Sequence, residues 1–177
     1  MAWLFLIYTV PSEPSRKRAF IWRELKKVGA VYLRDGVCAL PERDETAIGM
    51  RAIVAKIEEF GGQATLAMGA QIDEGATVAL RDQFRLARAR EYAEVAQAAE
   101  GLLAHIRRET DHRDFSYAEV EELEADLGKI RRWFGQVQAR DYFGTPETSR
   151  VADLLSRGEE ALGAFLEEAS SQAETTR

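Results

Sequence analysis

The sequence has little cysteine and no long apolar run, and both shortages narrow the class of protein. Cys38 is the single cysteine among 177 residues, so a secreted domain built on internal disulfides is excluded. No apolar stretch approaches the roughly 20 residues that a membrane-spanning helix requires. The apolar start of the chain, Met1–Val10, lacks the basic segment and the small-residue cleavage site of a signal peptide. We therefore predict a cytoplasmic protein with no membrane association.

Sequence motifs for catalysis are also lacking. The chain has no glycine-rich phosphate loop and no nucleophile motif. His105 and His112 are seven residues apart, and no cysteine or carboxylate stands at a convincing ligand spacing, so we predict surface histidines and no metal site. Cys38 lies in an apolar stretch and is expected in the core rather than as a reactive thiol. No catalytic residue, no cofactor and no enzyme activity are predicted.

Strand and helix signals alternate over residues 1–73. Extended runs rich in aromatic and branched residues predict strands at Trp3–Val10, Ala30–Arg34, Val37–Leu40 and Gln63–Met68. Periodic apolar positions predict helices from Ser15 to about Val28 and from Thr46 to Phe60. Asp35-Gly36 separates two extended runs, which predicts a hairpin with a type I′ turn. The order β-α-β-β-α-β predicts a ferredoxin-like α/β domain over 1–73.

From residue 74 the composition shifts to Ala, Glu, Arg and Leu, and the strand signals end. Apolar residues at steps of three and four predict helices over about 78–108, after Ser116 and after Thr145. This half is predicted to be an antiparallel three-helix domain over 74–170, followed by a flexible tail at 171–177. The predicted fold class is therefore α+β. The tryptophans are expected in the core: Trp3, Trp22 and Trp133.

Basic residues crowd the first predicted helix although the chain carries a net charge of -6. They are Arg16, Lys17, Arg18, Arg23, Lys26 and Lys27. An acidic chain does not coat nucleic acid through bulk charge, but a local basic face can hold DNA phosphates or an oxyanion. The alternative is a solvated helix face that balances acidic residues elsewhere.

A second candidate site lies in the predicted helical half. Glu91 falls in step with apolar positions and should point inward, where a carboxylate needs a partner. Arg88 and Arg131 are the two candidates for that partner. One reading is a polar anion-binding pocket between helices, and the other is a structural ion pair. Arg140 and Asp141, at a helix end, could line the same pocket or pack the chain reversal.

Several sequence blocks together resemble one family. The first block is W-L-x-L-I-Y-T-x-P at Trp3–Pro11, followed by Trp22-Arg23-x-Leu25-Lys26 and Leu33-x-Asp35-Gly36-Val37. The later blocks are Phe84-x-x-x-Arg88-x-x-Glu91-Tyr92, Arg131-Arg132-Trp133 and Ala139-Arg140-Asp141-Tyr142-Phe143. Over residues 3–167 the chain resembles the amino-terminal domain of the ChrB family of chromate-resistance and chromate-sensing regulators. Its start also resembles PaaX-type repressors and small CRISPR-associated endonucleases. These nucleases end the first strand with an aspartate, where this chain has Thr9, so nuclease activity is not expected.

The resemblance implies an oxyanion-responsive transcriptional regulator or accessory protein of chromate resistance. In this reading the chain binds DNA as a homodimer, the basic helix contacts phosphates, and the helical half responds to chromate or a related oxyanion. The alternative is a small-ligand, anion-binding or scaffold protein with no DNA role, because no base-reading element is recognisable. ChrB proteins usually continue into a second domain, and roles of that domain are not carried over.

Overall fold

The computed structural model describes residues 1–175, and within them the fold is α+β with a four-stranded antiparallel sheet and five helices. The strands are β1 (Trp3–Thr9), β2 (Val31–Arg34), β3 (Val37–Pro41) and β4 (Gln63–Ala70). The helices are α1 (Ser15–Lys27), α2 (Asp44–Glu59), α3 (Glu74–His112), α4 (Tyr117–Gln138) and α5 (Glu147–Thr175). The predicted α+β class is confirmed, whereas the finer ferredoxin-like assignment stays a prediction.

The sheet has the strand order β2-β3-β1-β4, so β1 and β3 are central and β2 and β4 are the edges. The predicted hairpin joins β2 and β3, and Arg34 pairs with Val37 across it. The prediction of a type I′ turn is wrong. Such a turn needs a positive φ at both central residues, and only Gly36, with a φ of 70°, has one. A register shift between Tyr32 and Arg34 adds local twist, which a primed turn would otherwise supply.

By packing, the described chain divides into two units, and the first comprises residues 1–87 and 140–143. Its core is built around β1, whose Leu4 and Leu6 are fully buried. The other fully buried side chains of this core include Ile21, Leu25, Leu40, Met50 and Ile57. The first turns of α3 also belong to this unit, because the ring of Phe84 lies 5.9 Å from that of Trp3.

The second unit comprises residues 88–139 and the described chain from 144 onward. Three helices supply its core at the predicted helical spacing, with Val95 and Ile106 from α3, Leu123 and Leu127 from α4, and Phe165 from α5. The side chain of Ser116 accepts a hydrogen bond from the Glu119 amide at 3.4 Å and so caps the start of α4, the helix predicted after Ser116. This arrangement brings one end of α3 close to the first turn of α4.

Helix α3 is longer than predicted at both ends. Asp73 Oδ1 accepts a hydrogen bond from the Ala76 amide at 2.8 Å and so starts the helix before Val78. Arg113, with a φ of 58°, ends it beyond Arg108. The predicted domain limits at 73 and 170 stay a prediction. Of the predicted flexible tail, 171–175 continue α5, and 176–177 lie outside the described residues.

No helix of the described chain has both the length and the apolar character needed to cross a membrane. The predicted cytoplasmic location stays a prediction. Trp3 is fully buried as expected, but the prediction for Trp22 is wrong, because its side chain is 51% exposed. Ile21 takes the buried position on α1 instead, one residue away around the helix.

Candidate nucleic-acid interface and adjoining cavity

Helix α1 presents a basic face to solvent. Burial of Ile21 and Leu25 sets which side of the helix faces the core. Arg16, Arg23 and Lys27, at spacings of seven and four, then follow one exposed stripe that is about 16 Å long. The thirteen residues of α1 hold six basic side chains and one acidic side chain, whereas the whole chain has 24 basic and 30 acidic residues. Positive charge is therefore concentrated on this helix.

Three of the six basic side chains of α1 have partners nearby. Lys17 Nζ donates a hydrogen bond to the Phe60 carbonyl oxygen at 3.1 Å. Lys26 Nζ lies 5.4 Å from the ring centre of Trp22, and Lys27 pairs with Glu24 at 2.6 Å on the surface. Lys17 Nζ also lies 5.6 Å from the ring centre of Phe60, so two of the lysines pack against aromatic rings with their charges near the helix surface.

The remaining three are arginines with no such contact. Within the part of the chain that the structure describes, Arg16, Arg18 and Arg23 make no ion pair and no hydrogen bond, and all three are exposed. Guanidinium groups in this state can form bidentate hydrogen bonds to phosphate or another oxyanion. Helix α1 thus carries three arginines that are available to an anionic partner.

A cavity of about 420 Å³ adjoins α1. Its lining consists of Tyr8, Val10, Arg18, Trp22, Tyr32, Asp35 and Gly36. The Tyr8 and Tyr32 hydroxyl groups are hydrogen-bonded to each other at 2.8 Å. Burial raises the pKa of Tyr8, and burial together with the hydrogen bond to Tyr8 raises the pKa of Tyr32. The cavity therefore offers two neutral phenol groups, the guanidinium of Arg18, the carboxylate of Asp35 and a half-exposed indole.

Sequence reasoning found only Arg18 among the residues of this cavity. Tyr8 and Tyr32 lie on β1 and β2, which flank β3, and only the strand order brings them together. Their residue type signals strand formation and nothing more. Trp22 was assigned to the core because its spacing from Leu25 also fits a buried stripe.

In the second unit, Glu91 has Arg88 as a partner. Arg88 Nη2 lies 3.4 Å from Glu91 Oε1, and both side chains are largely buried. Arg131 instead pairs with Glu159 at 3.1 Å, and both of these side chains are exposed. The structure therefore brings Arg88 and Glu91 together and gives Arg131 a different acidic partner. Anion binding by these residues stays a prediction.

Arg140 and Asp141 begin the short segment 140–143 that packs with the first unit. Both are partly buried. The same segment is anchored through Tyr142, whose hydroxyl group donates a hydrogen bond to the Val28 carbonyl oxygen at 2.7 Å. Arg43 Nη2 donates to the Tyr142 carbonyl oxygen at 2.9 Å. These bonds show how the chain reversal is packed, and a ligand-binding role for Arg140 and Asp141 stays a prediction.

The burial of the cysteine and of the two histidines was predicted from the sequence, and the predictions differ in outcome. Cys38 is fully buried as predicted, and burial raises the pKa of its thiol to about 12. His112 is exposed as predicted. His105 lies only partly at the surface, because its side chain is 20% exposed and stands among carboxylates of α3 and α4. Its neighbour Glu119 is 14 residues away in sequence, so helical spacing alone could not reveal the contact.

The chain matches a known protein family. The family model described as the N-terminal part of protein ChrB matches residues 18–176 of the chain. No curated protein matches the chain. The matched region includes α1 from Arg18 onward and all of the helices that follow.

Proposed function

Since the chain belongs to the ChrB family through its N-terminal domain, which associates it with chromate resistance, we propose that it is a non-catalytic regulator that holds DNA through α1. The observation that carries this proposal is the exposed basic face of α1, with Arg16 and Arg23 unpaired. A response to chromate or a related oxyanion completes the proposed role.

The dimensions of the basic stripe suit a DNA backbone. Each DNA strand carries one phosphate per roughly 3.4 Å of helix axis, so a stripe of about 16 Å runs past several phosphates. Contacts of this kind set position and affinity but do not read sequence. The acidic remainder of the chain repels DNA and so favours approach through α1.

The test measures how the affinity of the chain for a short DNA duplex of mixed sequence changes with salt concentration. Fluorescence anisotropy of the labelled duplex reports the binding. In the variant Arg16→Gln/Arg23→Gln/Lys27→Gln we expect weaker binding and a shallower slope of log K against log salt. The slope should fall by about 0.9 for each phosphate contact that is removed. The Lys27–Glu24 pair is exposed, so its loss should affect stability little.

The matched control removes three exposed arginines elsewhere, as Arg51→Gln/Arg107→Gln/Arg157→Gln. Because both variants lose the same charge, equal weakening in the two would show that bulk charge rather than α1 sets the affinity. Failure of the unmodified chain to bind DNA at low salt would remove the nucleic-acid role.

A second candidate function is binding of a small anionic ligand without DNA. The cavity beside α1 favours it, because Arg18 and the hydroxyl groups of Tyr8 and Tyr32 line one space. Thermal unfolding should then shift upward with chromate and with sulfate, its non-oxidising analogue. Loss of the shift in Arg18→Gln but not in Arg131→Gln would place the ligand in this cavity. The opposite pattern would favour the helical unit, and no shift with either anion would remove this candidate.

Two finer structural assignments are part of the proposal. A ferredoxin-like arrangement is supported by the position of β3 between β1 and β2, which are joined through α1. A homodimer is supported by the two sheet edges, β2 and β4, since an edge strand can pair with another chain. Sedimentation analysis across a concentration series tests the dimer, and a constant monomer mass would contradict it.

A further inference from the structure

The second unit places His105 among carboxylates from two helices. His105 Nε2 lies 2.8 Å from Glu119 Oε1 and 3.6 Å from Glu109 Oε1. One ligand atom from each of these three residues lies within 4.8 Å of the other two. The same holds for His105 with Glu122 and Asp126, so a second group of acidic oxygens stands beside the same imidazole.

Helix geometry explains why these side chains converge. His105 and Glu109 are four residues apart on α3, and Glu119, Glu122 and Asp126 are spaced by three and four on α4. Residues at these spacings lie on one face of a helix. The turn between the helices begins at Arg113, whose backbone lies in the left-handed region, and it brings the two faces together.

Burial distinguishes this cluster from ordinary surface charge. The side chains of Glu109 and Glu119 are 11% and 16% exposed. Glu119 Oε1 is fully buried and accepts no hydrogen bond within the described chain. The basic atom beside it is His105 Nε2 at 2.8 Å, which carries a positive charge only when the imidazole is protonated. Arg108 Nε donates to Glu109 Oε1 at 2.8 Å, and Glu119 has no comparable donor. A buried carboxylate oxygen without a hydrogen-bond donor is costly unless a cation compensates its charge.

The distances match those between ligands of one metal ion. Two ligands at about 2.1 Å from a tetrahedral ion are about 3.4 Å apart. The two distances from His105 Nε2 to carboxylate oxygens lie on either side of this value. An imidazole nitrogen combined with carboxylate oxygens suits Zn²⁺ and similar first-row ions, whereas Mg²⁺ and Ca²⁺ prefer oxygen ligands throughout.

We propose that His105, Glu109 and Glu119 bind one divalent transition-metal ion of the Zn²⁺ class. Asp126 lies with Glu122 beside the same imidazole, in the second group of ligand atoms. An adjoining cavity of about 270 Å³, lined in part by His105 and Asp126, gives solvent and the ion access. The ion compensates the charge of the largely buried Glu119 carboxylate and links the end of α3 to the start of α4. This site is separate from the α1 interface and does not depend on the proposed DNA role.

Chelator-treated full-length chain should be titrated with Zn²⁺ and, in parallel, with Mn²⁺ and Ni²⁺. Calorimetry should show one tight ion per chain, and the melting temperature should rise with ion concentration. His105→Gln and Glu119→Gln should each lower the affinity by at least about tenfold. The quantity to compare is the rise in melting temperature that the ion causes in each variant. The melting temperature of the metal-free chain is not compared, because removing a buried charge can change it by itself.

His112→Gln is the matched control, since His112 is an exposed histidine at the end of the same helix. It should retain the full ion-induced shift. No shift in the unmodified chain with any of the three ions would overturn the proposal. A shift that survives in both His105→Gln and Glu119→Gln would do the same.

A second measurement uses the unmodified chain and so does not depend on how the variants fold. Diethyl pyrocarbonate modification, read by mass spectrometry, should be slowed by the ion at His105 and unchanged at His112. Equal rates at His105 with and without the ion would contradict the proposal. The two histidines thus provide a site and an internal reference in one molecule.

Discussion

Replacing Phe84 by alanine tests whether the first turns of α3 are part of the sheet core. Phe84 is 1% exposed, and its ring centre lies 5.9 Å from that of Trp3 and 5.4 Å from that of Phe143. A buried Phe→Ala substitution costs about 3–5 kcal/mol. Each aromatic pair adds about 0.5–1.5 kcal/mol beyond area burial, so we expect a loss of unfolding free energy near the upper end of that range.

Urea unfolding followed by circular dichroism and by tryptophan emission measures this loss. Leu86→Ala is the matched control, because Leu86 lies two residues away on the same helix and is 54% exposed. Its unfolding free energy should change by less than about 0.5 kcal/mol. Phe84→Ala should also alter the emission of Trp3, which loses a stacked neighbour.

A free-energy loss in Phe84→Ala that stays within about 1 kcal/mol of the Leu86→Ala value would refute this reasoning. It would mean that the aromatic cluster of Trp3, Phe84 and Phe143 does not contribute to the core as its geometry indicates. A change in the urea dependence without a change in midpoint would point instead to an altered unfolded state.

Two further predictions concern the hairpin and the buried thiol. Gly36→Ala should destabilise the chain by at least about 1–2 kcal/mol, because Gly36 has a left-handed φ and an added Cβ would lie 2.6 Å from the Tyr8 carbonyl oxygen; an unchanged unfolding midpoint in urea would contradict this. Iodoacetamide should modify Cys38 very slowly in the native state, because a pKa of about 12 leaves about one thiol in ten thousand ionised at pH 8. Mass spectrometry should show rapid modification in denaturant, and an equal native rate would show that the thiol is exposed.

The helices and strands that depend only on the local sequence pattern could be predicted. The apolar run at Trp3 predicted β1 to within one residue, and Asp35-Gly36 predicted the β2–β3 hairpin. Such signals depend on neighbours in sequence, so no knowledge of packing is needed. The basic face of α1 was predictable for the same reason, since six of its thirteen residues are Lys or Arg.

The other features of the fold and of the candidate site depend on how separate helices and strands pack against one another. Trp22 and Ile21 both fit an apolar stripe, and packing against the sheet selects Ile21 for burial. The continuous apolar pattern of α3 does not show that Phe84 and Val95 belong to different cores. His105 meets Glu119 only because of the register between α3 and α4, which a period of 3.6 residues does not specify.

The exposure of Trp22 has a consequence for how this protein can change over evolution. A Trp22 side chain that stays half in water contributes less to the free energy of folding than a fully buried one of the same size, yet it forms a wall of the cavity beside α1. In the proposed ligand-binding role of this cavity, a substitution at Trp22 therefore alters which ligands fit at a smaller cost in stability than a substitution in the core of the sheet.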